Sequence, residues 1–391
     1  MADMIISDEQ RRARLADRHR LSPERRSDDV LLITDGLLAL HATDPPTVHL
    51  STWARMRTPR PDAVTEHLGT GELLRHHAMR RTIWVARTPT MARMHEAAGR
   101  KVAATERRTM ITALANAGVD DPEQWIDRAR IEVLELLRSE GPLNSRAIGS
   151  RLPRLNLTLR LAPGTKWEAR QSAHTRLMTL LGFEGVLART TPIGGWHTSE
   201  FAWLPTEDVI GTALTGPPLA ESAAELAAAW LRQFGPATTD DLQWWMGWTK
   251  TLTRQALADA GALPVRLNEG PGWLAADDLG EVAVEPWVAL LPTLDPTTMG
   301  WKHRGWYLSE RAATDAFDRA GNAAPTIWVD GRVVGTWAQR EDREIRLHWF
   351  DDVPTSRRAQ VEARAEEVAT WVGDTRYRVR FPSRLHRDLV G

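Results

Sequence analysis

Two stretches of this sequence follow one grammar, and that repetition limits the folds open to the chain. Leu137-Arg138-Ser139-Glu140-Gly141-Pro142 is followed by Leu143, Asn144 and Ser145, and Leu231-Arg232-Gln233-Phe234-Gly235-Pro236 by Ala237, Thr238 and Thr239. In each, a long amphipathic helix is expected to end at Leu-Arg. Glycine caps its C-terminus and proline cannot continue it. The hydroxyl residue three positions beyond the proline, Ser145 or Thr239, is then placed to cap a short second helix, Arg146–Leu152 or Asp240–Met246.

A third helix follows each pair, Lys166–Leu181 in one repeat and Lys250–Ala260 in the other. The first carries an apolar stripe at Ala169, Ala173, Leu177 and Leu180. Short extended runs then flank glycine-bearing turns: Gly185–Arg189 and Thr198–Leu204 about Gly194-Gly195, and Leu263–Leu267 and Trp273–Ala276 about Gly270-Pro271-Gly272. Three helices and a hairpin make the winged-helix plan. The N-terminal segment fits it with helices at Val30–Leu40, Pro46–Met56 and Asp62–Leu68, then strands Leu73–Met79 and Thr82–Arg87.

Beyond Glu285 the pattern turns to strands: Trp287–Leu291, Thr326–Val329, Arg332–Trp337 and Glu344–Phe350, with Asp330-Gly331 as a type I′ turn. A charged helix, Ser356–Val372, and a basic strand, Arg376–Phe381, complete a small barrel or sandwich. The expected fold class is α+β. Winged-helix units at 1–118, 119–216 and 217–284 precede a β-barrel-like domain at 285–391.

The formal net charge is −1, so the sum says little about partners, but the distribution is uneven. Between Arg75 and Arg108 nine basic residues face only Glu96 and Glu106, and between Arg146 and Arg176 seven face Glu168 alone. From Glu207 to Glu285 the balance reverses. A polyanion such as double-stranded DNA would be met by the first half. With no cysteine, disulfides and thiolate chemistry are excluded. No cofactor or metal is expected. His76-His77 cannot chelate one ion, since adjacent strand residues point to opposite faces. No apolar run suits a membrane span and no signal peptide is visible, so a cytoplasmic monomer is the expectation.

Arg80 and Arg81 fall at the tip of the first hairpin, between Arg75 and Arg87 on its strands, where a wing would touch phosphates. Lys166, Arg170 and His174 recur every fourth residue, which on a helix would make one edge. That edge reads either as a phosphate contact or as a solvated flank. Trp244, Trp245 and Trp248 read as core.

The run Gly36-Leu37-Leu38-Ala39-Leu40-His41-Ala42-Thr43-Asp44-Pro45 resembles the start of the AlkZ- and YcaQ-type DNA glycosylases. Met79-Arg80-Arg81-Thr82-Ile83-Trp84 is similar to their first hairpin. Leu291-Pro292-Thr293-Leu294-Asp295, Trp301-Lys302-His303-Arg304 and Val329-Asp330-Gly331-Arg332-Val333-Val334-Gly335 are similar to their C-terminal signatures. The resemblance implies tandem winged helices and a C-terminal barrel clamped on DNA, with excision of bulky N-alkylated purines. It also implies that Asp295 and Arg304 border the cleft.

The family's motif is Gln, an apolar residue, then Gln or Asp; the matching positions here are His41, Ala42 and Thr43, different at both polar places. An alkylated purine already carries positive charge and leaves readily, so the protein must stabilise a sugar cation and place a water. A neutral imidazole and a hydroxyl can supply the acceptors. His41 also reads as the last-turn residue of a helix, favoured there by the dipole. Asp44 reads as a catalytic carboxylate or, before Pro45-Pro46, as an N-cap. A non-catalytic DNA-binding regulator or damage-recognition clamp is the alternative function, and a protein-interaction module that has lost DNA is a third.

Overall fold

A computed structural model of the chain describes residues 4–162, 164, 165 and 168–391. The architecture is mixed α+β, with small antiparallel sheets set among helices.

The repeat is visible in three dimensions. Helix Pro122–Glu140 ends at Gly141, whose φ of 83° is left-handed, and helix Leu219–Phe234 ends at Gly235. The caps of the next helices lie two residues beyond the proline, not three. Asn144 Oδ1 accepts from Ala147 N at 2.9 Å, and Thr238 forms a capping box with Asp241. Ser145 and Thr239 have a different task. Each accepts an indole N–H from its own hairpin, Trp203 at 3.0 Å and Trp273 at 2.8 Å. The residue after each proline bridges the same tryptophan backbone, Leu143 to Trp203 and Ala237 to Trp273. Both repeats thus tie a helix pair to a hairpin by one set of bonds.

Elsewhere the structure corrects the expected elements. Residues 169–172 form a strand, Ala169–Ser172, paired with Thr158–Leu161, and the third helix starts only at Ala173 and runs to Phe183. Backbone pairing to residues 158–161 outweighs the helical spacing of Ala169 with Ala173. Arg170 and His174 therefore share no helix edge, and Lys166 lies outside the described residues. The hairpin Leu263–Leu267 with Gly270–Leu274 turns at Asn268-Glu269, not at the following glycines. The segment from Arg376 to Phe381 pairs with no strand.

The N-terminal sheet has the order Leu40–His41, Ile83–Arg87, Leu73–His77. The helix expected to reach Leu40 stops at Gly36, and Leu38, at φ 58°, turns the chain into the strand. The C-terminal sheet is a four-stranded antiparallel meander of Val288–Leu291, Thr326–Val329, Arg332–Gln339 and Ile345–Trp349, with its two end strands unpaired to each other. Asp330 and Gly331, at φ 47° and 82°, make the expected turn.

One apolar core joins Leu15, Trp84, Trp230, Phe234, Trp245, Trp301, Trp328 and Trp337, so packing crosses the expected borders near 217 and 285. Residues from Met110 to Trp203 have a core of their own. Trp245 and Trp248 are buried, while Trp244 is half-buried against this packing. Among the described residues no helix is long and apolar enough to cross a membrane.

Candidate active site

Strand Leu40–His41 is held by the first hairpin. His41 pairs with Trp84, Ala42 N donates to Ile83 O at 2.8 Å, and Ile83 N donates to Thr43 Oγ1 at 3.3 Å. His41 is 4 % exposed, its ring tilted on Trp84 with centroids 4.6 Å apart. Its Nδ1 accepts the Thr43 N–H at 3.4 Å. Burial first, and the nearby Arg80 charge second, push it down to about 3. His41 is thereby held in its neutral form at neutral pH. However, it is neither in a last helical turn nor offered to a substrate. The reading of His41 as a last-turn helix residue is corrected: it lies on an edge strand paired with Ile83–Arg87 and is buried.

Asp44 takes the N-cap position of helix Pro45–Trp53, yet its carboxylate makes no capping bond. Pro45 and Pro46 have no N–H to give, and Thr47 N bonds the Asp44 main-chain oxygen at 3.1 Å instead. The carboxylate is left to face a cavity of about 770 Å³ lined by Asp44, Pro45, the loop from Ile193 to Glu200, and Arg376, Arg378 and Arg380. Burial pushes it up to about 7, opposed by the N–H and charge of Arg380. Thr43, half-buried, stands beside it.

Two arginines grip this segment. Arg380 Nη1 donates to Thr43 O at 3.2 Å while its N–H reaches Asp44 Oδ2 at 3.5 Å, and Arg75 Nη2 donates to Ala42 O at 3.4 Å. Arg75 is 5 % exposed, so it lies beneath the motif and not on an open wing as expected. Arg189 lies 4.1 Å from the Phe201 ring centre, and Arg75 5.9 Å from the same ring.

Arg80 and Arg81 occupy the hairpin tip with φ of 51° and 62°. Arg80 lies 4.3 Å from the Trp244 ring centre and Arg304 5.2 Å from it, so the two cations share one indole. Arg81 pairs with the buried Glu106 at 2.6 Å, and Arg87 with Asp35 at 3.1 Å. Arg170 is exposed opposite Arg160 on its hairpin. His174 is half-buried, its ring close against Gly149. Asp295 does not border a cleft: it is fully buried in a fork with Arg55. Among the described residues no three potential ligands gather for a metal. His76 meets His95 at 3.2 Å, and His77 packs on Phe183.

Arg189, Arg378 and Arg380 were missed as site residues. The alternation Arg376, Arg378, Arg380 was the signal for two of them; Arg189 had none.

The α+β fold thus brings an uncapped carboxylate to a cavity that Arg376, Arg378 and Arg380 line, Arg376 being paired with Glu341. The family model for AlkZ-like DNA glycosylases matches residues 34–371, and the chain belongs to that family. Among solved structures, the Streptomyces sahachiroi DNA glycosylase AlkZ superposes with a TM-score of 0.72 at 22 % identity, over 96 % of this chain and all of that one. A search of curated proteins gives no match.

Proposed function

We propose that the chain is a monofunctional DNA glycosylase that hydrolyses the N-glycosidic bond of alkylated purines, bulky or crosslinked ones included, in duplex DNA. The observation that carries the reading is Asp44, its carboxylate uncapped, in the lining of an arginine-bearing cavity, with Thr43 next to it in the chain. The C1′–N bond breaks with its electron pair going to the cationic base, whose ring charge is thereby cancelled. Asp44 stabilises the sugar cation and takes a proton from the water that adds to C1′, and the Thr43 hydroxyl orients that water. His41 acts as a positioning residue, holding the Thr43 N–H. Arg80, Arg81, Arg87 and Arg170 supply phosphate contacts, and Arg304 borders the cleft beside Trp244. Winged-helix units at 1–118, 119–216 and 217–284 and the region 285–391 would then act as one monomeric clamp.

The test is duplex DNA carrying N7-alkylguanine. Abasic sites should form with the native chain and fall by about 10²-fold or more with Asp44→Asn. No abasic product above background over several adducts overturns the reading. A non-catalytic DNA-binding clamp gains support from one observation, the burial of His41 at a motif position that departs from the family pattern. It predicts tight duplex binding with no product from any adduct.

A further inference from the structure

Some arginines withdrawn from solvent are paired with carboxylates and others are not. Arg55, Arg11, Arg14, Arg176 and Arg364 each have a carboxylate: Asp295, Glu269, Asp278, Glu106 and Glu367. The buried Arg75, the half-buried Arg189 and the exposed Arg380 have no ion-pair partner among the described residues, although they converge on one spot. Arg75 and Arg380 hold the successive carbonyls of Ala42 and Thr43, and Arg75 and Arg189 lie on the Phe201 ring. Nε of both Arg75 and Arg189 is buried with no hydrogen-bond partner. The three come from separate parts of the chain: strand Leu73–His77, strand Leu187–Arg189 and the segment after Tyr377.

Three guanidiniums without a carboxylate partner repel one another. Arg189 is held down to about 9 by burial and then by the charges of Arg75 and Arg380, and Arg75 to about 10 by burial and Arg380. A fold pays such a cost where an anion arrives to relieve it. Phe201 orients the guanidinium of Arg189 by its ring face without consuming N–H donors, so those beyond the one that contacts His77 Nε2 at 3.5 Å remain for a tetrahedral oxyanion.

We infer that Arg75, Arg189 and Arg380 form a phosphate-binding site, completed only when the three chain segments meet, that clamps one backbone phosphate of the strand presented to Thr43 and Asp44. The choice of a DNA phosphate as the anion rests on the glycosylase reading; the site itself does not. The nearby Asp44 disfavours a free dianion relative to a singly charged diester. Binding would also tighten the Arg380 hold on Thr43, coupling occupancy to the order of the catalytic segment.

The experiment compares the full chain with Arg189→Gln and Arg380→Gln by thermal unfolding in chloride and in inorganic phosphate at matched ionic strength. It adds duplex binding across a salt series. The native chain should gain Tm in phosphate and both variants should lose that gain. In chloride Arg189→Gln should be as stable as the native chain or more so, because a repulsion is removed. Each variant should bind duplex less tightly, with the slope of log Kd against log salt lowered by about 0.9. Phosphate that stabilises all three proteins equally overturns the site. A phosphate gain with an unchanged slope assigns the pocket to free phosphate and overturns the DNA clamp. Retained anion and salt results without base excision would remove the glycosylase reading and leave the site standing.

Discussion

Arg55 and Asp295 meet in a two-bond fork, Nη1 to Oδ2 at 3.0 Å and Nη2 to Oδ1 at 2.8 Å, with both side chains wholly buried. Ser51 Oγ and Thr297 N satisfy the remaining carboxylate lone pairs, and Arg55 Nε donates to His19 O. The fork fastens the segment after helix Pro45–Trp53 to the start of the C-terminal sheet region, fixing Asp44 relative to Arg380. Removing one partner strands a charge: Asp295→Ala should cost about 3–5 kcal/mol. Arg55→Met with Asp295→Leu should recover most of it. Denaturant unfolding of the two variants checks this, and equal losses in both would refute the charge argument.

Acid should unfold this protein early. His19, His41, His49, His76, His77, His95 and His386 are all held below their ordinary range, by burial first in every case. A histidine depressed in the folded state contributes stability that is present above pH 6.5. That stability is lost as pH falls toward the folded value, here about 3 to 4 for several of them. Each contributes a slope of about 1.4 kcal/mol per pH unit in that window. Tm should hold above pH 7 and drop steeply between pH 6.5 and 5. A flat Tm over that interval would show that these imidazoles are not buried.

The repeat and most C-terminal strands were legible because local signals and tertiary structure agree. Gly141 and the Asp330-Gly331 turn do what their residue types dictate anywhere. The functions of Ser145 and Thr239 were not legible, since an indole donor some 58 and 34 residues away, Trp203 or Trp273, leaves no mark at the acceptor. The strand at Ala169–Ser172 was hidden by apolar spacing that suits a helix as well. Asp44 was read as cap or carboxylate, and the deciding fact, which N–H groups remain beyond Pro46, emerges only with the backbone path. His41 read as a last-turn helix residue because its strand is made only by pairing with Trp84, far along the chain.

Asp44 should leave two pH signatures. Excision that needs the ionised carboxylate should fall about tenfold per pH unit below its value of about 7, and Asp44→Asn should lose that dependence. For stability the sign is opposite to that of the histidines. A carboxyl raised in the folded state contributes stability that is present below about pH 4 and lost as pH rises through about 7. Asp44→Asn should thus melt higher than the native chain at pH 8, with the difference closing toward pH 5. A variant that melts lower at pH 8 would mean the carboxylate has a partner there.

The two hairpin-tip arginines should differ in their service to DNA. Arg81 is already spent on Glu106, a buried carboxylate that Arg176 also contacts, so contact with a phosphate must first break or share that pair. Arg80 has no carboxylate among the described residues. It lies over Trp244 beside Arg304, and burial with the Arg304 charge holds it down to about 10, which an arriving phosphate would relieve. Gly247 makes room for it, since a Cβ there would stand 3.0 Å from Arg80 Cγ, and at φ 72° a side chain would also be strained. Arg80→Gln should lower the salt slope of duplex binding by about 0.9, and Arg81→Gln by less than half as much. Glu106→Gln, by releasing Arg81, should steepen it. Measured slopes that rank Arg81 above Arg80 would place the phosphate on the other side of the hairpin tip.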